Sequence, residues 1–154
     1  MPCAAAPLRA AIRAALRPYG LPAETTVTLA FIDDDEMRTL NARHRANDRT
    51  TDVLSFGQDL GGAKGEAAVG RLARDEDGTL DLGDILISAA QAERQARRRK
   101  HETVREVAFL VAHGALHLLG FEDETPAGYR EMVRLGTAAT EMALAPSGSE
   151  TSKS

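Results

Sequence analysis

Apolar and polar positions alternate with two different periods along this chain, and the switches between them mark its elements. Apolar residues recur at helical spacing from Leu8 to Leu16, and Pro18 with Gly20 ends that helix. Thr26 to Ile32 alternates and is rich in β-branched residues, so it predicts a strand. Asp33, Asp34 and Asp35 then supply an N-cap and first-turn acids for a helix to about Arg45, with Met37 and Leu40 facing inward. Asp52 to Phe56 reads as a second strand. Gly57 to Leu80 is glycine- and charge-rich and predicts a loop, with one short strand near Ala67–Leu72. Leu82 to Ile87 is the third clear strand. Ser88 can cap a helix through about Arg98, and Glu102 or Thr103 starts another that runs to Leu119. Val107, Leu110, Val111 and Ala115 give that helix a buried stripe. Pro126 opens a last helix to about Ala143, and the Ser-rich stretch from Pro146 predicts a disordered tail. Three to four strands mixed with four to five helices, without repeats or a linker, predict one α+β domain over residues 1–145 and a tail over 146–154.

Composition narrows the class without naming a function. At 154 residues the chain can bury a real core, and 43% hydrophobic with 27% charged residues is ordinary for a soluble globular domain. No run approaches the roughly 20 apolar residues of a membrane span. The start has no basic and apolar leader pattern, so no secretory signal is expected. A single cysteine, Cys3, excludes an intramolecular disulfide and a thiolate metal cluster, which fits a cytoplasmic protein. Net charge of −4 does not announce nucleic-acid binding, and the low aromatic content argues against stacking platforms for single-stranded RNA. The run Arg94, Arg97, Arg98, Arg99, Lys100 and His101 is the local exception: either a solvated helix face or a set of phosphate contacts.

Candidate chemistry concentrates at His113-Gly114-Ala115-Leu116-His117. Positions i and i+4 differ by about 40° around a helix and about 6 Å along it, so two imidazoles there can converge on one ion. The same spacing also suits a buried, hydrogen-bonded pair. Gly120 fits the left-handed residue that closes a helix. The following Glu122, Asp123 and Glu124 can return a third ligand. Zinc proteases place their Glu base directly after the first histidine. Here that residue is Gly114, which excludes such a base and leaves room for a substrate or backbone near the metal. Gly65 and Gly70 have the spacing of a phosphate-binding loop, but Arg71 and Leu72 follow instead of Lys and Ser/Thr.

The string from His113 to Asp123 resembles the His-Gly-x-Leu-His-Leu-x-Gly-aromatic-Asp-His signature of the YbeY family, bacterial endoribonucleases of rRNA maturation. Two further blocks match in order: Leu40-Asn41 through Arg45, Asp48 and Thr51-Asp52-Val53-Leu54-Ser55-Phe56, and Leu82-Gly83-Asp84-Ile85. The resemblance implies a small mixed β-sheet with helices packed around it and a metal at one end of a cleft. It implies His113 and His117 as catalytic metal ligands, with Asp123 at the position of the family's third histidine. Carboxylate is a legitimate zinc ligand. One Zn²⁺ per chain is the expected cofactor, and the anionic ligand makes Mn²⁺ an alternative. Arg45 matches an arginine implicated in activity, whose guanidinium suits a phosphate, although an ion pair with Asp48 or Asp52 is the plainer role. His101 matches a Gly-His pair ahead of the metal helix, as a phosphate contact or a helix-start residue. Glu106 is expected in a structural ion pair.

The activity implied is metal-dependent, single-strand-specific cleavage in maturation of the 16S rRNA 3′ end and in ribosome quality control, with rRNA and ribosomal particles as partners. Two other readings remain open from sequence. One is a ribosome assembly factor that has weakened or lost its metal. The other is a metal-dependent hydrolase of a non-RNA substrate such as a peptide.

Overall fold

The computed structural model describes residues 3–45 and 52–146. Its elements are α1 (Ala5–Leu16) with a 3₁₀ turn over Arg17–Tyr19, β1 (Thr25–Ile32), α2 (Asp34–Arg45), β2 (Val53–Gly57), α3 (Glu66–Val69), β3 (Leu80–Ser88), α4 (Ala89–Arg99), α5 (Thr103–Leu118) and α6 (Pro126–Ala143). The three strands of the described residues form a mixed sheet in the order β1-β3-β2, with β1 parallel and β2 antiparallel to β3. The fold is α+β, as the alternation of periods predicts.

Local chemistry sets most boundaries. Asp33 Oδ1 accepts from the Glu36 N–H at 2.7 Å, and Ser88 Oγ accepts from the Gln91 N–H at 3.2 Å, so both expected N-caps form. Pro126 opens α6 behind its N-cap Thr125. One expectation fails. Residues 67–72 do not form a strand; Glu66–Val69 is a short helix between Gly65 and Gly70. Ala67 and Ala68 favour a helical turn, and Ala68 is fully buried against the core. With α3 the described residues hold six α-helices, more than the four to five expected.

The middle of the molecule is α5. It packs against α1, α4, α6, β2 and β3. Val107, Leu110, Val111 and Ala115 are all buried, as their spacing predicts, and they join Leu82, Ile85, Ile87 and Met132 in one core. Side chains of that size each contribute roughly 1.5–3 kcal/mol when fully buried. Gly114 belongs to this packing rather than to the metal face. A Cβ there would stand 2.8 Å from Ile85 Cγ2 and 3.1 Å from Ser55 Oγ, and Ser55 Oγ donates to the Gly114 carbonyl at 3.0 Å. The expectation that this glycine makes room beside the metal is therefore corrected: it lets α5 lie close on the sheet.

The loop residues 46–51, including Asp48, and the tail from residue 147 lie outside the described residues. No described helix is long and apolar enough to cross a membrane.

Candidate metal centre

Two backbone reversals place the polar groups of α5. After α4, the Lys100 N–H bonds the Arg97 carbonyl at 3.2 Å and the His101 N–H bonds the Ala96 carbonyl at 3.1 Å. After α5, the Gly120 N–H bonds the His117 carbonyl at 3.0 Å and the Phe121 N–H bonds the Leu116 carbonyl at 3.2 Å. Both pairs have the spacing of a Schellman cap, which needs a left-handed residue at its turn. Gly120 takes φ +88° there without cost, as expected from sequence. Lys100 takes φ +59° and is the sole non-glycine residue with positive φ among the described residues.

The second reversal builds the centre. His113 and His117 share one face of α5, ring centroids 4.7 Å apart and nearly perpendicular. The chain turned back at Gly120 brings the Phe121 carbonyl to His117 Nδ1 at 2.9 Å and Asp123 Oδ2 to His113 Nε2 at 3.1 Å. His117 Nε2 lies 3.2 Å from His113 Nε2 and 3.6 Å from Asp123 Oδ2. Of the three acids in 122–124, Asp123 is the one that converges with both histidines.

Proton arithmetic shows what this arrangement suits. The Phe121 carbonyl can only accept, so His117 Nδ1 carries the proton and its Nε2 presents a lone pair. His113 then has two options. A proton on Nε2 serves Asp123 and leaves Nδ1 a buried acceptor with no hydrogen-bond partner among the described residues; a proton on Nδ1 strands a donor and sets three acceptors facing one another. Nδ1 stays unmet in either arrangement, with or without an ion on Nε2, so the fit to a cation rests on the three converging acceptors. A cation between the three acceptors removes their mutual repulsion. Ligands about 2.0–2.2 Å from a tetrahedral ion stand roughly 3.3–3.5 Å apart, close to the 3.1, 3.2 and 3.6 Å found. The residues present fit a divalent ion.

Burial lowers the pKa of His113, with His117 adding to the shift and Asp123 opposing it, so the ring favours the neutral, ligating form. Burial alone would raise the Asp123 carboxyl, but His117, His113 and the hydrogen bond from His113 outweigh it and hold it below the usual carboxylate range. Asp52, just before β2, adds a negative charge that acts on His113. Its part at this site is absent from the sequence pattern, which offers it only as a partner for Arg45.

The other sequence-predicted residues fall differently. Arg45 is the last residue of α2, and its side chain lies outside the described residues. His101 is carried by the first reversal to Glu106, with Nε2 2.7 Å from Oε1. Arg99 Nη1 donates to the same carboxylate at 3.3 and 3.4 Å. Glu106 is only 1% exposed and sits in the first turn of α5, where the helix dipole favours an anion. It makes the structural ion pair expected of it. His101 and His113 nevertheless line one cavity.

A helix-borne pair of histidines joined by a returning carboxylate, on a small mixed sheet, makes a group of three ligands that could hold one metal ion. Residues 4–142 match the family described as endoribonuclease YbeY, and the chain belongs to that family. It is 41% identical to endoribonuclease YbeY of Desulforamulus reducens over 114 residues, 74% of this chain and 69% of that one. With the Moorella thermoacetica protein of the same description it shares 40% over 125 residues, 81% of this chain and 77% of the relative. The fold matches a solution structure from Thermotoga maritima at TM-score 0.55 and 24% identity, covering 96% of this chain and 85% of that one.

Proposed function

We propose that this protein is a metal-dependent, single-strand-specific endoribonuclease of rRNA maturation. It acts at the 3′ end of 16S rRNA and in ribosome quality control, in the cytoplasm, with rRNA in ribosomal particles as its partner. The observation that supports this reading is the convergence of His113 Nε2, His117 Nε2 and Asp123 Oδ2 in a chain whose relatives are described as endoribonucleases.

His113, His117 and Asp123 would hold one Zn²⁺, with Mn²⁺ the alternative that a carboxylate ligand favours. An ion held there supplies Lewis-acid activation of the phosphodiester and of the attacking water. The chain's own residues do the rest. The Phe121 carbonyl fixes the His117 tautomer, so that Nε2 would be ready to hold the ion without reorganising. Asp123 balances one positive charge. Arg45 would bind the phosphate oxygens as their charge grows in the transition state. His101, its Nε2 engaged by Glu106, holds the wall of the adjoining cavity and has Nδ1 left for substrate.

The peptidase and assembly-factor readings gain no support. The position of a protease base is Gly114, packed on the sheet, and three residues that could hold a metal converge.

Elemental analysis of untagged full-length protein, paired with cleavage of single-stranded rRNA fragments, tests the reading. Near-stoichiometric zinc in the parent, lost in Asp123→Ala and His117→Ala together with cleavage, is the expected result. Fragment cleavage by Arg45→Ala and His117→Ala at the parental rate would assign the activity to a contaminant and sink the proposal.

A further inference from the structure

Between α5 and α6 runs a groove of about 390 Å³. Phe109 and His113 line it from α5; Tyr129, Val133 and Thr137 line it from α6. These residues are one face of each helix, at spacings of four. His113 therefore belongs both to the metal-ligand triad and to the groove wall. The volume sits at the small end of the roughly 300–1,000 Å³ of small-molecule sites.

The groove is built around aromatic surface. A Cβ at Gly136 would stand 3.1 Å from Phe109 Cε1, so the bare backbone there lets the phenyl ring lie against α6. Phe109 and His113 ring centroids are 5.9 Å apart at a shallow tilt of 34°. Tyr129 is 56% exposed, in the first turns of α6. The chain has few aromatic rings, but two of them, Phe109 and Tyr129, line this groove together with His113.

Cations stand on the same wall. Arg99 and Arg105 line the groove. Arg99 is half-exposed beyond its bond to Glu106, and among the described residues Arg105 is tied only to exposed Glu141, a weak pair that a phosphate can displace. Arg97 and Lys100, both exposed beside Arg99, make no side-chain hydrogen bond or ion pair among the described residues. Flat rings flanked by available cations match a ribonucleotide: the base stacks and its phosphates meet guanidinium groups. An apolar peptide side chain would leave the cations idle.

We propose that the α5–α6 groove is a nucleotide subsite, holding one unpaired base of an RNA strand on Tyr129 and Phe109 while neighbouring phosphates run along Arg99 and Arg105. The proposal rests on the ribonuclease reading and deepens it. A paired base cannot leave its helix to enter the groove without unstacking, so the subsite itself selects single strands.

The test uses metal-loaded full-length protein and single-stranded RNA carrying 4-thiouridine, with photo-crosslinks mapped by mass spectrometry. Adducts are expected on the segments 109–113 or 129–137. In fluorescence anisotropy, Tyr129→Ala should weaken RNA binding roughly tenfold, while Tyr129→Phe, which keeps the ring, stays near the parent. Thr137→Trp, filling the groove from an exposed helix position, should weaken binding similarly with bound metal and melting temperature unchanged. Parent protein that binds and cleaves RNA while all three variants bind within twofold of it, with crosslinks elsewhere, overturns the subsite alone. Parent protein that neither binds nor cleaves RNA overturns the ribonuclease reading, and the subsite with it. An apolar peptide that competes with RNA no better than a scrambled control supports the nucleotide assignment; a peptide that displaces RNA from the groove at equal concentration overturns it.

Discussion

The reversals after α4 and after α5 use the same backbone hydrogen bonds and deliver a titratable side chain to the same helix, yet they make opposite kinds of cluster. At the first, His101 meets Glu106, and Arg99 completes the set, so a buried carboxylate has both a formal positive charge and N–H donors within 3.4 Å. That carboxylate is neutralised from within the cluster, while Arg99 keeps half its side chain exposed. At the second, Asp123 meets two imidazoles and, among the described residues, no permanent cation, so three acceptor atoms face one another once both Nε2 atoms are unprotonated. Residue types barely differ between the two. A guanidinium completes the first cluster as a structural one, whereas the described residues around the second offer none, which leaves it a candidate seat for an added cation.

The contrast breaks first at the open cluster. His117→Ala is expected to take bound zinc from about one per chain to near zero and to cut cleavage more than ~100-fold, since even outer-shell losses cost 10–100-fold. Unchanged metal content by elemental analysis would make this cluster as closed as its counterpart. Glu106→Ala should do the reverse. It removes a buried carboxylate that two donors share, at a cost of about 2–3 kcal/mol in denaturant unfolding, and leaves metal content at the parental level.

A smaller effect concerns protons. The folded chain holds the His113 pKa down, chiefly by burial, whereas the unfolded chain takes its proton near pH 6.5. Below that value the unfolded state binds more protons, so stability falls with pH until the lowered folded value is passed, and is constant above about 6.5. Chelated protein should show this slope in denaturant midpoints between pH 8 and 5. His113→Asn should flatten it. The Asp123 carboxyl, shifted downward, adds its own loss only below about pH 4.

Smallest is the backbone difference between the reversals. Lys100 holds a left-handed conformation that Gly120 adopts freely. Lys100→Gly is expected to stabilise the protein by up to roughly 1 kcal/mol, a rise of a few degrees in melting temperature, because relief of the left-handed strain outweighs the added freedom of the unfolded chain. No change in melting temperature would mean that the lysine carries no such penalty.

Much of the fold could be read directly because its determinants lie within a turn or two of one another. The Asp33 and Ser88 caps, the α6 span Pro126–Ala143 and the buried stripe of α5 all depend on neighbours at most four residues away. The pairing of His113 with His117 was legible for the same reason. The short helix at Glu66–Val69 was not, because four residues carry too little periodicity to separate helix from strand, and burial of Ala68 decides the matter.

The sequence alone determined that two imidazoles share a helical face, that a glycine-closed turn follows and that acids come next; each is a consequence of helix geometry and local hydrogen bonding. The tertiary structure decided which acid reaches them, that Gly114 serves packing, that Glu106 is held by Arg99 and His101, and that Phe109 and Tyr129 share a groove with His113. Those outcomes depend on the direction in which the chain leaves Lys100 and Gly120 and on how α6 packs against α5. Such angles are set by contacts between segments far apart in the chain, which a local pattern does not encode.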